Sequence, residues 1–197
     1  LSGGVDGFTL RTGAADDSHG DVTPRDALLV INELNSRTVT QQQTMFLAGP
    51  CTLRAAIEES NARAGTQRIE VPNLGSPYNT PLGTLEVTAP VIIEGSSLPI
   101  VDAGDAHRLM NIENVDGVII DGLILRNGDS RSCCSANGGN LRIDNSAVQI
   151  IDSQIRDGLA TNGGGISAGD SELTILRSRI SGNHAGDPEP NGGGIGG

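Results

Sequence analysis

VIIDGLILRNG at residues 118–128, VQIIDSQIRDG at 148–158 and LTILRSRISGN at 173–183 superpose without a gap, and their reading decides the fold. Positions one, three and eight are aliphatic in all three: Val118, Ile120 and Leu125; Val148, Ile150 and Ile155; Leu173, Ile175 and Ile180. Position six is Leu123, Ser153 or Ser178, and position eleven is Gly128, Gly158 or Asn183. Alternation at one and three, then at six and eight, describes two short strands separated by a two-residue break. Strands this short form no stable sheet alone. Their starts lie 30 and 25 residues apart, so each coil can stack on the one before and pair strand with like strand. The expected architecture is all-β: a right-handed parallel β-helix, the hand following the usual chirality of parallel crossovers.

NGGGI at 162–166 and again at 191–195, with NGGNL at 137–141, falls between these segments. A phosphate-cradling loop would need a helix after the glycines and usually a lysine. The chain has no lysine, and nothing helical follows. The glycines therefore read as sharp turns, with the asparagine expected to share the left-handed region, and the next Ile or Leu opens an inward-facing strand. RIEVPN, GTLEVTAPVIIEG, PIVDAG and RLMNIENVDG supply the less regular first coils.

Composition narrows the function. The 197 residues carry 24 acidic and 13 basic side chains, a formal charge of -11. That balance excludes nucleic acid as a partner, and no apolar run approaches the ~20 residues of a membrane-spanning helix. The three cysteines, Cys51, Cys133 and Cys134, form neither a metal-site spacing nor a CxxC. The chain opens on Leu1 and closes on GGGIGG, with Ile195 placed to begin another coil; a piece of a longer, processed protein is expected.

CTLRAAIEESNARAG at 51–65 is the one convincing helix beside the coils, with Thr52 as N-cap and Gly65 as stop. Leu53, Ala56, Ile57 and Ser60 fall on one face, suited to covering the open first edge of the β-helix. CTLRAAI followed by Asn61 resembles the signature of the CSLREA domain, with Ala55 where that signature has glutamate. The coils resemble polymorphic outer-membrane protein-like repeats. The resemblance implies a secreted or cell-surface bacterial protein whose cap precedes a β-helix.

HGDVTPRDALLVINELN at 19–35 resembles one calcium-loop-and-helix repeat of a dockerin. With Gly20 at the sharp turn, the ligand positions fall on Ala15, Asp17, His19, Asp21, Thr23 and Asp26. Asp17, Asp21 and Asp26 are the candidate calcium ligands; Ala15 offers none and His19 offers nitrogen rather than oxygen. Thr23, Pro24 and Asp26 equally describe a capped helix start. The domain reading is thus an appendage at 1–45, a cap at 46–65 and a β-helix at 66–197.

The β-helix also hosts polysaccharide lyases, which need an arginine or lysine base beside a carboxylate-held calcium. Arg126 and Arg156, with Asp152 and Asp157 nearby, are the candidates. Against that, Arg177 shares position five with Asp152, and an ordinary ion pair between neighbouring coils explains both. His107 and His184 read as solvated turn residues. Phe8, Phe46 and Tyr78 lie outside the regular coils and offer no sugar platform there. The functional expectation is a non-catalytic structural or adhesive module facing extracellular polysaccharide or protein, needing no cofactor beyond possible calcium; the alternative is a lyase acting on acidic polysaccharides.

Overall fold

The computed structural model describes residues 44–46, 52–132, 136–186 and 195–196. The dockerin-like stretch with Asp17, Asp21 and Asp26, all three cysteines and most of the last NGGGI lie outside them. The chain begins there with β1 (Thr44–Phe46) and α1 (Leu53–Asn61). A first coil follows, of β2 (Gln67–Pro72), β3 (Tyr78–Asn79) and β4 (Leu85–Val87), then a second of β5 (Val91–Ser96), β6 (Ile100–Asp102) and β7 (Met110–Glu113). The third holds β8 (Asp116–Asp121), β9 (Ile124–Arg126) and β10 (Leu141–Asp144). β11 (Ala147–Ile151), β12 (Gln154–Arg156), β13 (Leu159–Ala160) and β14 (Ile166–Gly169) make the fourth. The fifth comprises β15 (Glu172–Leu176), β16 (Arg179–Ser181), β17 (His184–Ala185) and β18 (Ile195–Gly196).

Every described strand pairing is parallel, and apart from β1 on β2 each joins like strands of successive coils. Three sheets result, ordered β1-β2-β5-β8-β11-β15, β18-β14-β10-β7-β4 and β16-β12-β9-β6-β3, with the small pair β13-β17 beside them. This is a parallel β-helix of about five turns. The register is the one the repeats demand: Val118 lies on Val148 and Val148 on Leu173, while Leu125 lies on Ile155 and Ile155 on Ile180. Aliphatic ladders fill the centre, and Ile69, Ile93, Ile120 and Ile150 are fully buried in one of them. β1 was not legible from the sequence, and it extends the first sheet beyond the first coil.

The helix buries Leu53, Ala56, Ile57 and Ser60, the face expected, and the first three join the core cluster. Thr52 caps it by accepting the Ala55 N–H at 3.2 Å. It ends at Asn61, short of Gly65, and the Asn61 side chain reaches the first coil. Its Nδ2 donates to the Glu86 carbonyl (2.7 Å) and its Oδ1 accepts the Thr88 N–H (3.0 Å), so one carboxamide imitates a strand edge against β4. Arg54 donates to the Gly83 and Thr84 carbonyls. Two polar residues of the cap stretch therefore dock the helix on the first coil by backbone hydrogen bonds.

The glycine turns divide their labour differently from expectation. Gly138 and Gly163 take the positive φ (66° and 59°), and the preceding asparagines do not. Instead Asn162 donates its Nδ2 to Asn137 Oδ1 (2.9 Å), stacking one turn on the next. The second glycine serves close approach: a Cβ on Gly139 would lie 2.3 Å from the Gly164 carbonyl oxygen.

Serines tie the corners. Ser146 and Ser153 each donate to the carbonyl two residues earlier (2.7 Å) and accept the N–H of Val115 and Leu123 in the preceding coil (3.1 Å). Ser171 and Ser178 repeat the relay, accepting the N–H groups of Ser146 and Ser153 at 3.1 and 3.0 Å. Position six thus holds an inward serine, a satisfied polar group, rather than a second aliphatic residue in the fourth and fifth coils.

Candidate functional site

Stacking of β6, β9, β12 and β16 brings position nine of four coils into one row: Asp102, Arg126, Arg156 and Ser181. Arg126 and Arg156 are therefore true neighbours, as their shared position required. They do not, however, converge on a common carboxylate. Arg126 Nε donates to Asp102 Oδ2 at 2.7 Å, across coils. Arg156 Nη1 turns to Asp157 Oδ2 at 2.5 Å, on its own coil.

Asp102 has the most elaborate setting. Its Oδ1 accepts the Gly104 N–H and Asn127 Nδ2, both at 2.9 Å. Burial alone would raise its carboxyl; the Gly104 N–H, Arg126 and Asn127 together outweigh it and hold the group below its ordinary value. Asp152 stands apart from this row. It sits at the corner before β12 with a positive φ of 45°, where Arg177 grips it through Nε (2.8 Å) and Nη2 (2.7 Å). That hydrogen bonding keeps Asp152 below its ordinary value. The pair joins neighbouring coils as expected, from left-handed corner residues rather than from strand positions.

Beyond the row, the loops after β6 and β9 carry Asp105 and Asp129, acids the sequence reading passed over. Burial, then the charges of Asp102 and Asp129, push the Asp105 carboxyl up. Asp129 is chelated by Arg131 (3.0 and 2.7 Å) and held low by it. His107 is half-buried, not a solvated turn residue: Nδ1 lies 2.7 Å from the Arg108 carbonyl oxygen and Nε2 2.6 Å from that of Thr80 in the preceding coil. His184 is exposed, and it opens β17. Asp102 was legible in principle, since PIVDAG extends the repeat by one coil and puts it at position nine. Asp105 and His107 lie in a loop outside the repeat.

The chemistry open to this row is limited. A guanidinium held by a carboxylate can donate hydrogen bonds to an anionic ligand; it offers no lone pair to take a proton. Among the described residues, no three His, Cys, Asp or Glu side chains converge on a metal position. Tyr78 does lie in the first coil, but half-buried against the core, with its hydroxyl donating to the Pro72 carbonyl at 2.7 Å. A separate open groove of about 470 Å³ follows a corner of the stack, lined by Asn114, Asn145, Asp116, Asp170 and Glu172. Asn145 donates to Asn114 within it (2.9 Å), another link between coils.

No described helix is long and apolar enough to cross a membrane. Compared with known proteins, the chain matches no family model, no curated protein and no solved structure.

Proposed function

We propose that this chain is a non-catalytic β-helix module of a secreted or cell-surface bacterial protein, acting as a structural or adhesive element. The observation that supports it is where the outward polar side chains go. Arg68 pairs with Glu94, Arg126 with Asp102 and Arg177 with Asp152, each bond joining one coil to the next. Asn111 and Arg142 continue the pattern on the β4-β7-β10 face, where Asn111 donates to Glu86 (2.8 Å) and Arg142 to Asn111 (3.2 Å). Such links stiffen a stack whose coils touch only their neighbours. The resemblance of CTLRAAI and Asn61 to the CSLREA signature supplies the surface location.

A polysaccharide lyase is the competing reading. Its candidate bases, Arg126 and Arg156, are the side chains already engaged by Asp102 and Asp157. The test mixes the folded chain with polyuronates, with and without calcium, and follows ultraviolet absorbance of the unsaturated elimination product. A flat trace is expected. A calcium-dependent rise abolished by Arg126→Ala or Arg156→Ala would make this an enzyme.

A further inference from the structure

We propose that the outward face of β9, β12 and β16 binds an anionic polysaccharide, gripped first by Arg179. This names a partner for the adhesive reading above and rests on it. The observation that carries it is an arginine left over. Every other arginine among the described residues is engaged by a carboxylate or by backbone carbonyls, as Arg126 is by Asp102, Arg177 by Asp152 and Arg108 by the carbonyls of Asn137 and Gly138. Arg179 is exposed on β16 and has neither ion pair nor hydrogen bond among those residues.

Its neighbours are donors too. The strand register sets Gln154 directly beneath Arg179, and Arg156 beneath Ser181. Arg126 follows beneath Arg156. Alternate residues of a strand share a face, so these side chains lie opposite the inward Leu125, Ile155 and Ile180. Asp102 takes only the Nε–H of Arg126, and Asp157 only an Nη1–H of Arg156, so each guanidinium keeps unused N–H groups. Arg126 and Arg156 also stand directly opposite each other on adjacent strands, a like-charge contact that a bound anion relieves.

The formal charge of -11 does not forbid an anionic partner. The Debye length is about 8 Å at physiological salt, so an anion on this face responds to the groups beside it. Those are the compensated pairs Arg126–Asp102, Arg156–Asp157 and Arg177–Asp152, with Arg179 as the surplus. The form of the partner follows from spacing. Donors repeat from coil to coil about 4.8 Å apart, whereas an extended peptide brings carboxylates to one side only every ~6.6 Å. A pyranose chain carrying a carboxylate or a sulfate ester on each ring repeats nearer the coil spacing. Its hydroxyls suit the Gln154 amide and the Ser181 hydroxyl.

The test is titration calorimetry in calcium-free buffer at about 0.15 M salt, with polygalacturonate, dextran sulfate, neutral dextran and polyglutamate as probes. At least one anionic polysaccharide is expected to bind and dextran is not. Arg179→Gln should weaken that binding about tenfold, the loss of one charge-assisted contact. Arg63→Gln, which removes an exposed arginine beside α1, should leave it unchanged. A preference for polygalacturonate assigns the face to carboxylates and one for dextran sulfate to sulfate esters; either supports it. The proposal is overturned if neither polymer binds, if the two variants weaken binding alike, or if polyglutamate binds more tightly than both. An unsaturated product accumulating during the titration would instead break the non-catalytic reading and leave the binding face standing.

Discussion

The third and fifth coils are written in the same eleven-residue pattern and meet different surroundings. Val118, Ile120, Leu123 and Leu125 have a coil on either side and are fully buried. Leu173, Ile175 and Ile180 point the same way, in register with them through the fourth coil, yet remain only partly buried. β15 and β16 are the last strands of their sheets among the described residues. The polar links follow the same gradient. Asp102 and Arg126 have side chains 9% and 24% exposed, while Asp152 and Arg177 reach 49% and 66%. The pattern of a repeat therefore records which side of a strand faces the axis. What that side contributes depends on the neighbour that covers it.

The strongest way to break this comparison is to truncate the same ladder twice. Ile120→Ala should cost about 3–5 kcal/mol in urea denaturation, the transfer of the side chain plus the cavity left in a packed core. Ile175→Ala should cost roughly 1–2 kcal/mol, because part of that surface already meets water. Equal losses would show that the two coils are covered alike.

Next in size is Asp102→Ala, which strands three donors, the Arg126 Nε–H, the Asn127 amide and the Gly104 N–H. A loss of about 2–3 kcal/mol is expected at neutral pH. The sign of its pH dependence follows from a folded carboxyl held below its unfolded value. Its contribution is present in full above the unfolded carboxylate range and is lost as pH falls through the lower folded value. Acid titration of stability should therefore be shallower in Asp102→Asn than in the parent chain.

A smaller contrast sharpens the serine relay. Ser153→Ala removes the partner of the buried Leu123 N–H and should cost about 1 kcal/mol. Ser178→Ala, on the more open coil, should cost less, and a reversed order would contradict the gradient. The least effect is expected of Asp152→Ala: the Arg177 pair is exposed, so the melting temperature should not measurably change.

Much of the fold could be read before any coordinates, and for a local reason. The inward pairs of each strand, the break between strands and the buried face of α1 are all set within a dozen residues, where period and chain order coincide. The candidate row was legible only in part. Arg126 and Arg156 emerged as neighbours because both stand at position nine. Asp152 was drawn toward them by its nearness in sequence, although it pairs with Arg177 25 residues on. Dockerin-like ligands at Asp17, Asp21 and Asp26 stay a sequence expectation.

By itself, the sequence determined that strands of this length and spacing must stack in parallel, and which side chains turn inward. Tertiary structure alone decided the partners across coils: Asp102 for Arg126, Ser153 for the Leu123 N–H, Asn61 for the edge of β4 and Thr80 for His107. Those contacts span 24 to 30 residues. The loops between the coils vary in length. Which loop atom lies above which is fixed by the stacked sheets beneath them, and no local periodicity carries that information.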